Sequence, residues 1–367
     1  MSSKNDVVFR KESLLNTKPG KKIIKNRLFK TKGYEQFIKY QNQSAKEFPK
    51  FTIKFTNDLF NLIKQDVNIY DTQKQFSDSY GTEFMLGKSL IDSIRIKFEN
   101  IEILRDRTSR ILNSNFIKMT MPIFMALYDS ASKFYGDDNL ELRENLIYGH
   151  LVAIDLSEPM DRITDKDEDL DYLEDYKFLN PYILRLANYM ISKCGKIVFD
   201  EFNHGFKEAI KGQKVDHELK SKNAAINEEN MNNCYQKYRA VIGTAGKNMA
   251  LCRFPLGEIF YLGMAKAAEC TGCGNEIEDA INNKSLKTPS WPLYFYSLTN
   301  DIQKCFDLTL KKSEIYMEEA RIAIELLPKN FPYSEFLEFL FLTVEHYNHF
   351  WYNQLKKENL NEFVIPK

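Results

Sequence analysis

What most constrains this chain is how seldom its helical periodicity is interrupted. Its 367 residues hold only 15 Gly and 11 Pro, and the alternating β-branched stretches that a sheet needs are few. Leu142, Leu146, Gly149 and Ala153 recur on one helical face that would carry Asp155 at its C-terminal end. Met317, Ala320, Ile324 and Leu327 repeat in the same way until Pro328 stops the run. A stretch around 334–357 is crowded with Phe336, Phe339, Phe341, Tyr347, Phe350 and Trp351. It is apolar on more than one face, which predicts a buried helix. Loop signals are confined to Tyr135–Asp138, Lys211–Asn233, Cys270–Pro292 and Lys329–Tyr333. With no internal repeat, the pattern predicts an all-α bundle of about ten helices.

Apolar content of 43% and charged content of 28% are ordinary for a globular chain long enough to bury a large core. The net charge is zero but unevenly spread. Residues 1–34 carry ten Lys/Arg against Asp6 and Glu12, a balance of +8, and the remainder balances at −8. Residues 1–40 therefore read as a basic, flexible tail, 41–80 as extra helices and 80–360 as the main bundle. The tail suits solvent or peripheral contact with an anionic membrane surface, and no nucleic-acid partner is expected. No apolar run is long enough to span a bilayer. Lys4, Asp6, Arg10, Lys11 and Glu12 break up anything like a signal peptide. Six scattered cysteines suit a reducing cytoplasm, the predicted location. Cys270 and Cys273 form a lone CxxC without a second ligand pair, read as a turn with two free thiols.

Three polar elements interrupt the apolar pattern. Asp155, Glu158 and Asp161 follow the apolar run Leu151–Ile154 and open a segment with ten Asp/Glu from Asp155 through Asp175. Asp155 and Glu158 share a helical face, where carboxylates at a helix end can hold a metal; the later part, Asp165–Asp175, reads as a solvated charged loop. Arg253 is a single cation between Ala250-Leu-Cys252 and Phe254-Pro-Leu256. It needs an anionic partner, either a ligand or a carboxylate such as Glu258. Pro255 and Gly257 would break the helix there and free backbone groups for an anion. Asn300, Lys304 and Asp307 would share a face at i, i+4 and i+7 if the segment is helical. An amide oxygen and a carboxylate there could ligate Mg²⁺, with Lys304 meeting phosphate as a point charge; the plain alternative is an exposed polar face.

In order and spacing these elements resemble the class I terpene synthase α-domain, over roughly residues 80–360. Asp155 stands 145 residues before Asn300, Arg253 stands 47 before it, and Gly257 lies four beyond Arg253. The resemblance implies a single-domain class I terpenoid synthase-like helical bundle with a basic N-terminal extension. It implies a terpene synthase that ionises farnesyl or geranylgeranyl diphosphate and cyclises the carbocation. Asp155, Glu158, Asn300 and Asp307 would be the metal ligands, for Mg²⁺ with Mn²⁺ as a substitute. Arg253, Lys304, Lys356 and Trp351 would meet substrate, with Gly257 supplying an effector carbonyl; a homodimer is among the assemblies such a fold takes. The segment Glu318–Pro328 also resembles late helices of prenyl diphosphate and phytoene synthases. The sequence departs from the family in four places: Leu156 follows Asp155, Lys304 takes the place of the triad's serine, Leu308 that of its glutamate, and the family's C-terminal Arg-Tyr pair is missing, with Asn348-His-Phe-Trp351 and Lys356-Lys357 as its divergent counterpart.

Other readings stay open. Ser297–Asp301 looks almost as much like the second acidic motif of chain-elongating or head-to-head prenyltransferases on the same fold. Glu201 and His204 form an ExxH, two of the six ligands of a di-iron carboxylate site. A non-catalytic helical binding protein is the third class. Asn57-Asp58 with Asn61 and Gln65 imitates the triad locally but precedes any acidic partner in chain order.

Overall fold

The computed structural model describes residues 32–80, 100–112, 115–155, 170–286 and 288–365. Its main helices are α1 (Lys32–Tyr80), α2 (Ile101–Leu112), α3 (Asn115–Tyr135), α4 (Leu140–Asp155), α5 (Leu170–Ser192), α6 (Lys196–Lys220), α7 (Glu228–Cys234), α8 (Leu256–Asn283), α9 (Trp291–Thr299), α10 (Ile302–Glu325) and α11 (Ser334–Leu355). Between α7 and α8 the short helices Gln236–Tyr238 and Thr244–Met249 flank a π turn, Arg239–Gly243. No strand occurs among the described residues; a lone bridge joins Ser285 to Val364. The chain is all-α, as its periodicity predicts. No described helix is long and apolar enough to cross a membrane.

Two compact units divide the chain. One is built from Met1–Gln41, Pro122–Asn139 and Gly195–Lys367, the other from Asn42–Met121 and Leu140–Cys194. In the second unit Phe51, Phe55, Leu59 and Ile63 fall one turn apart along α1 and are all buried, the stripe of an amphipathic helix. Phe51 meets Tyr148 of α4 with ring centroids 5.0 Å apart. Ion pairs Arg143–Glu47 at 3.1 Å and Arg185–Asp66 at 2.9 Å tie α1 to α4 and α5. A Cβ on Gly149 would lie 2.7 Å from Ile191, so α4 and α5 touch backbone to side chain there.

The first unit is organised around α8, whose 28 residues include buried side chains from Leu256 to Ile281. Glu269, 1% exposed on this helix, is neutralised by Arg239 of the π turn at 2.9 Å and Lys266 at 2.9 Å. A buried carboxylate persists only with such partners. At the N-terminal side of the unit, Phe37 of α1 packs on Phe336 and Phe339 of α11, at 6.1 and 5.5 Å. Gly33 admits the Glu335 carbonyl 2.1 Å from where a Cβ would stand. The helix thus begins at Lys32, inside the stretch expected as a tail, because Phe37 and Tyr40 are buried there. Residues 1–31 lie outside the described set.

Two expected loops are helical. Lys211–Asn233 breaks only between α6 and α7, because Asp216, 4% exposed, is held by Lys220 at 3.0 Å and Lys237 at 3.1 Å. Cys270–Pro292 carries a loop signal in the sequence, yet α8 runs through it to Asn283, Gly272 and Gly274 included. Both glycines are contact points. A Cβ at Gly272 would stand 3.2 Å from the Tyr235 and Tyr238 rings, and one at Gly274 would stand 1.9 Å from Asn348 Oδ1. Cys270 and Cys273 are accordingly buried in mid-helix and free, with burial pushing the Cys270 thiol up to about 12. Packing at these notches outweighs the intrinsic helix penalty of glycine, about 1 kcal/mol per residue.

Gly274→Ala is therefore expected to destabilise the first unit by about 1–3 kcal/mol, the cost of overpacking a closed interface. Urea unfolding measures this; an unchanged midpoint would mean that α8 and α11 can part without loss.

Candidate functional site

Twenty-eight residues of α8 span about 42 Å at 1.5 Å per residue, and the polar residues of interest fall at opposite ends of it. At its start, two successive left-handed residues, Leu251 (φ 53°) and Cys252 (φ 55°), turn the chain out of Thr244–Met249. The turn is fixed by Leu251 N–H on Asn248 O and Cys252 N–H on Lys247 O, at 2.7 and 3.1 Å. Arg253 follows, half exposed, and pairs with the Asp137 carboxylate while its guanidinium lies 5.3 Å from the Tyr135 ring centroid. The Tyr135 hydroxyl faces the Arg253 and Phe254 carbonyls at 3.2 and 3.1 Å. Arg253 thus has the anionic partner that its apolar sequence context demands. That partner is Asp137; Glu258 instead meets Lys247 at 3.0 Å. Gly257 is buried in the first turn of α8 and donates its N–H to the Arg253 carbonyl at 2.7 Å.

The other end gathers most of the remaining polar residues. Ile277, Ala280 and Ile281 of α8 pack with Cys305 and Phe306 of α10, Leu355 of α11 and Phe363. Asn300 is exposed and left-handed (φ 51°), the C-cap of α9 rather than a member of α10. Asp301 begins the new helix as N-cap, its carboxylate accepting the Lys304 N–H at 3.0 Å. A helix break therefore separates Asn300 from Lys304 and Asp307, and the expected i, i+4, i+7 face does not form. Lys304 is exposed. Asp307 accepts from Gln303 at 2.8 Å and from the Tyr352 hydroxyl. Trp351 is half-buried against the same cluster, and Lys356, exposed at the C-cap of α11, holds Nζ 4.6 Å from the Tyr352 ring centroid. Arg253 and Asn300, expected at one diphosphate, stand at opposite ends of α8. Asp155 closes α4 in the other unit as predicted; its side chain, and Glu158 and Asp161 entirely, lie outside the described residues.

The last turns of α8 carry oxygen-bearing side chains that the sequence reading passed over. Asn275, Glu278, Asp279 and Asn282 stand at i, i+3, i+4 and i+7, hence on one face. Asp279 and Asn282 are exposed, whereas Glu278 is 9% exposed. Glu278 accepts the Tyr347 hydroxyl, which also lies 3.0 Å from Asn275 Oδ1. Burial lifts the Glu278 carboxyl to about 7 against the pull of that hydroxyl, and Asp279 adds to the rise. Glu276 faces another side. It accepts the Trp291 N–H at 2.9 Å, and although the residue is partly exposed, burial of its carboxyl raises it to about 8. The signal for this turn is the Asn-Glu-x-Glu-Asp run itself, which lies inside the stretch expected as a loop.

Magnesium takes hard oxygen donors and keeps much of its water. The head of α10 does not suit it, because Lys304 is a cation, Asp301 caps the helix and Asn300 lies beyond the break. The face bearing Asn275, Glu278 and Asp279 has the right donor chemistry. Among the described residues no three His, Cys, Asp or Glu side chains gather as a metal cluster. The di-iron alternative loses its ExxH, since Glu201 pairs with Lys247 at 3.1 Å and His204 is exposed.

No known protein family matches the chain, and no curated protein does. Among solved structures it is similar to a geranylgeranyl pyrophosphate synthetase from the archaeon Geoglobus acetivorans. The TM-score is 0.57 at 12% identity, over 70% of this chain and 95% of that one. Over that overlap the chain shares the all-α fold of that synthetase. At this identity the likeness speaks for the fold alone.

Glu276 gives a pH dependence to test. Its folded carboxyl, at about 8 against an ordinary 4.5, keeps a proton that the unfolded chain releases. Its contribution to stability is therefore complete below about pH 4.5 and is lost as pH rises toward 8. Glu276→Gln is expected to flatten the fall in unfolding free energy over that window; an unchanged slope would show that the decline arises elsewhere.

Proposed function

We propose that the protein binds an isoprenyl diphosphate at the C-terminal end of α8 and ionises it, breaking the bond between the allylic carbon and the diphosphate oxygen. The carbocation is then captured by the double bond of a second isoprenyl diphosphate. The new cation so formed loses a proton to the released diphosphate, which leaves a longer isoprenyl diphosphate with its double bond restored. The observation that carries this reading is the fold, which covers 95% of a geranylgeranyl pyrophosphate synthetase. Support also comes from the α8 face, where Asn275, Glu278 and Asp279 would hold Mg²⁺. When bound, the metal would offset the charge of the leaving diphosphate. Lys304 and Lys356, exposed at the same end of the unit, supply cations for the remaining phosphate oxygens.

Cyclisation of the same cation to a terpene is the second reading. The chain spacing of Asp155, Arg253 and Asn300 favours it, whereas the position of Arg253 at the far end of α8 does not. The two separate in one experiment. Purified protein with Mg²⁺ is given isoprenyl diphosphates of ten, fifteen and twenty carbons, each with and without the five-carbon homoallylic partner. Longer diphosphates are expected. Cyclic hydrocarbons or alcohols would establish cyclisation instead, and binding without turnover would make the protein a non-catalytic binder.

Two variants add a test of position. Glu278→Gln is expected to lower turnover at least about tenfold, the scale of one lost charge-assisted contact. Arg253→Ala is expected to leave it within about threefold, since an exposed ion pair contributes little. Loss of all product in Arg253→Ala would move the site to the other end of α8 and restore the cyclase reading.

A further inference from the structure

The outward face of α10 carries a pattern that the packing of the unit does not use. Its inward side lies on α8, α9 and α11 and buries Phe306, Met317 and Ala320. Ile315 and Ile322 point the other way and are 47% and 53% exposed. Leu308 precedes Ile315 by the same seven residues and is half-exposed. Seven residues fall about 20° short of two full turns, so the three side chains form one stripe, roughly 21 Å long. Isoleucine on a solvated helix gains nothing over lysine or glutamate, which are better helix formers.

Single exposed apolar residues are ordinary; what sets these apart is the charge around them. In Lys311-Lys312-Ser-Glu-Ile315-Tyr-Met-Glu318-Glu319, two cations stand three and four residues before Ile315 and two anions three and four after it. Glu314 lies off the stripe, beside His349 of α11 at 3.5 Å. A surface whose halves differ in sign matches its own copy turned end for end about an axis at Ile315. Ile315 then meets Ile315 of the second copy, Leu308 meets Ile322, and Lys311 meets Glu318. Lys311 and Glu318 are exposed and available for this. Lys312 and Glu319 take less part. Lys312 Nζ already lies 4.6 Å from the Trp291 ring centroid, and Glu319 is held by Lys266 at 2.8 Å. The acidic half sets the same face against an anionic lipid surface.

We propose that this face of α10 pairs with the same face of a second copy of the chain, the two helices antiparallel across a two-fold axis at Ile315. The inference is independent of the function proposed above. One pair of helices buries less than the roughly 1,200 Å² of a standard interface, so the dimer is a weak one with a dissociation constant on the order of micromolar.

Sedimentation velocity on the full chain, from about 1 to 200 µM, tests it. The parent is expected to pass from monomer to dimer over that range. Ile315→Lys sets two cations face to face at the axis and is expected to stay monomeric. Ile197→Lys, at a 72% exposed position of α6, is expected to dimerise as the parent does. Lys311→Glu and Glu318→Lys are each expected to weaken association at least about tenfold, because each reversal acts at two symmetric pairs. Their combination restores complementarity and is expected to return the constant to within about threefold of the parent. A parent that stays monomeric throughout overturns the inference and leaves the stripe to a different partner. So does a dimer that persists in Ile315→Lys, or a combined variant in which the two losses simply add. Circular dichroism and urea midpoints are expected to be unchanged at these exposed positions; should Ile315→Lys fail to fold, the charge exchange decides alone.

Discussion

The close burial of α8 is the constraint on which the first unit depends. A helix of 28 residues surrounded on most sides by neighbours has little room for side chains of ordinary size, and the chain answers with glycine at the crossings. Gly263 faces Ile324 and Phe341, Gly272 faces two tyrosine rings, and Gly274 faces Asn348. Each omission lets a neighbouring helix approach until dispersion contacts form at interior density. Polar groups caught in that interior must then be satisfied internally. Glu269 is met by Arg239 and Lys266, and Glu278 by Tyr347. The same closeness that stabilises the bundle raises the carboxyls of Glu276 and Glu278 toward neutrality, so packing and site chemistry are one matter here.

Periodicity made much of the architecture legible in the chain. The apolar repeat through Leu146 and Gly149 announced a helix ending at Asp155, and the aromatic run after Lys329–Tyr333 announced the buried α11. Both could be read because their signals are local. What misled was local too. Glycine is weighed as a helix breaker when a sequence is scanned, but at Gly272 and Gly274 its value lies in what a distant segment, Tyr235 or Asn348, brings against it. The start of α1 was misjudged for a related reason. Lysines crowd the sequence up to Lys32, yet Phe37 and Tyr40 find aromatic partners about 300 residues further on, in α11 and at Tyr333, and non-local burial of this kind overrides propensity.

The candidate site was harder to read than the fold. Spacing along a chain becomes proximity only if the intervening elements fold back on themselves, and between Arg253 and Asn300 lies a straight helix that instead holds them apart. Asn300 had a further meaning in the sequence that was open to a different reading. An Asn-Asp pair between two apolar runs is as good a helix-to-helix junction as it is a metal motif, since Asn tolerates the left-handed conformation and Asp caps the next helix. The oxygen-bearing turn of α8 went unnoticed because its identity depends on α11, which completes it from across the interface.

The notched helix has a consequence for how such a chain can change over evolutionary time. Each residue of α8 advances the surface by about 100° of rotation. One residue inserted or deleted between Gly257 and Gly274 would swing the Gly274 notch away from Asn348 and carry Asn275, Glu278 and Asp279 round with it. Substitutions along α8 can be absorbed one at a time, but a change in its length cannot. Related chains that keep this architecture should therefore diverge freely in α8's composition while conserving the number of residues between those two glycines.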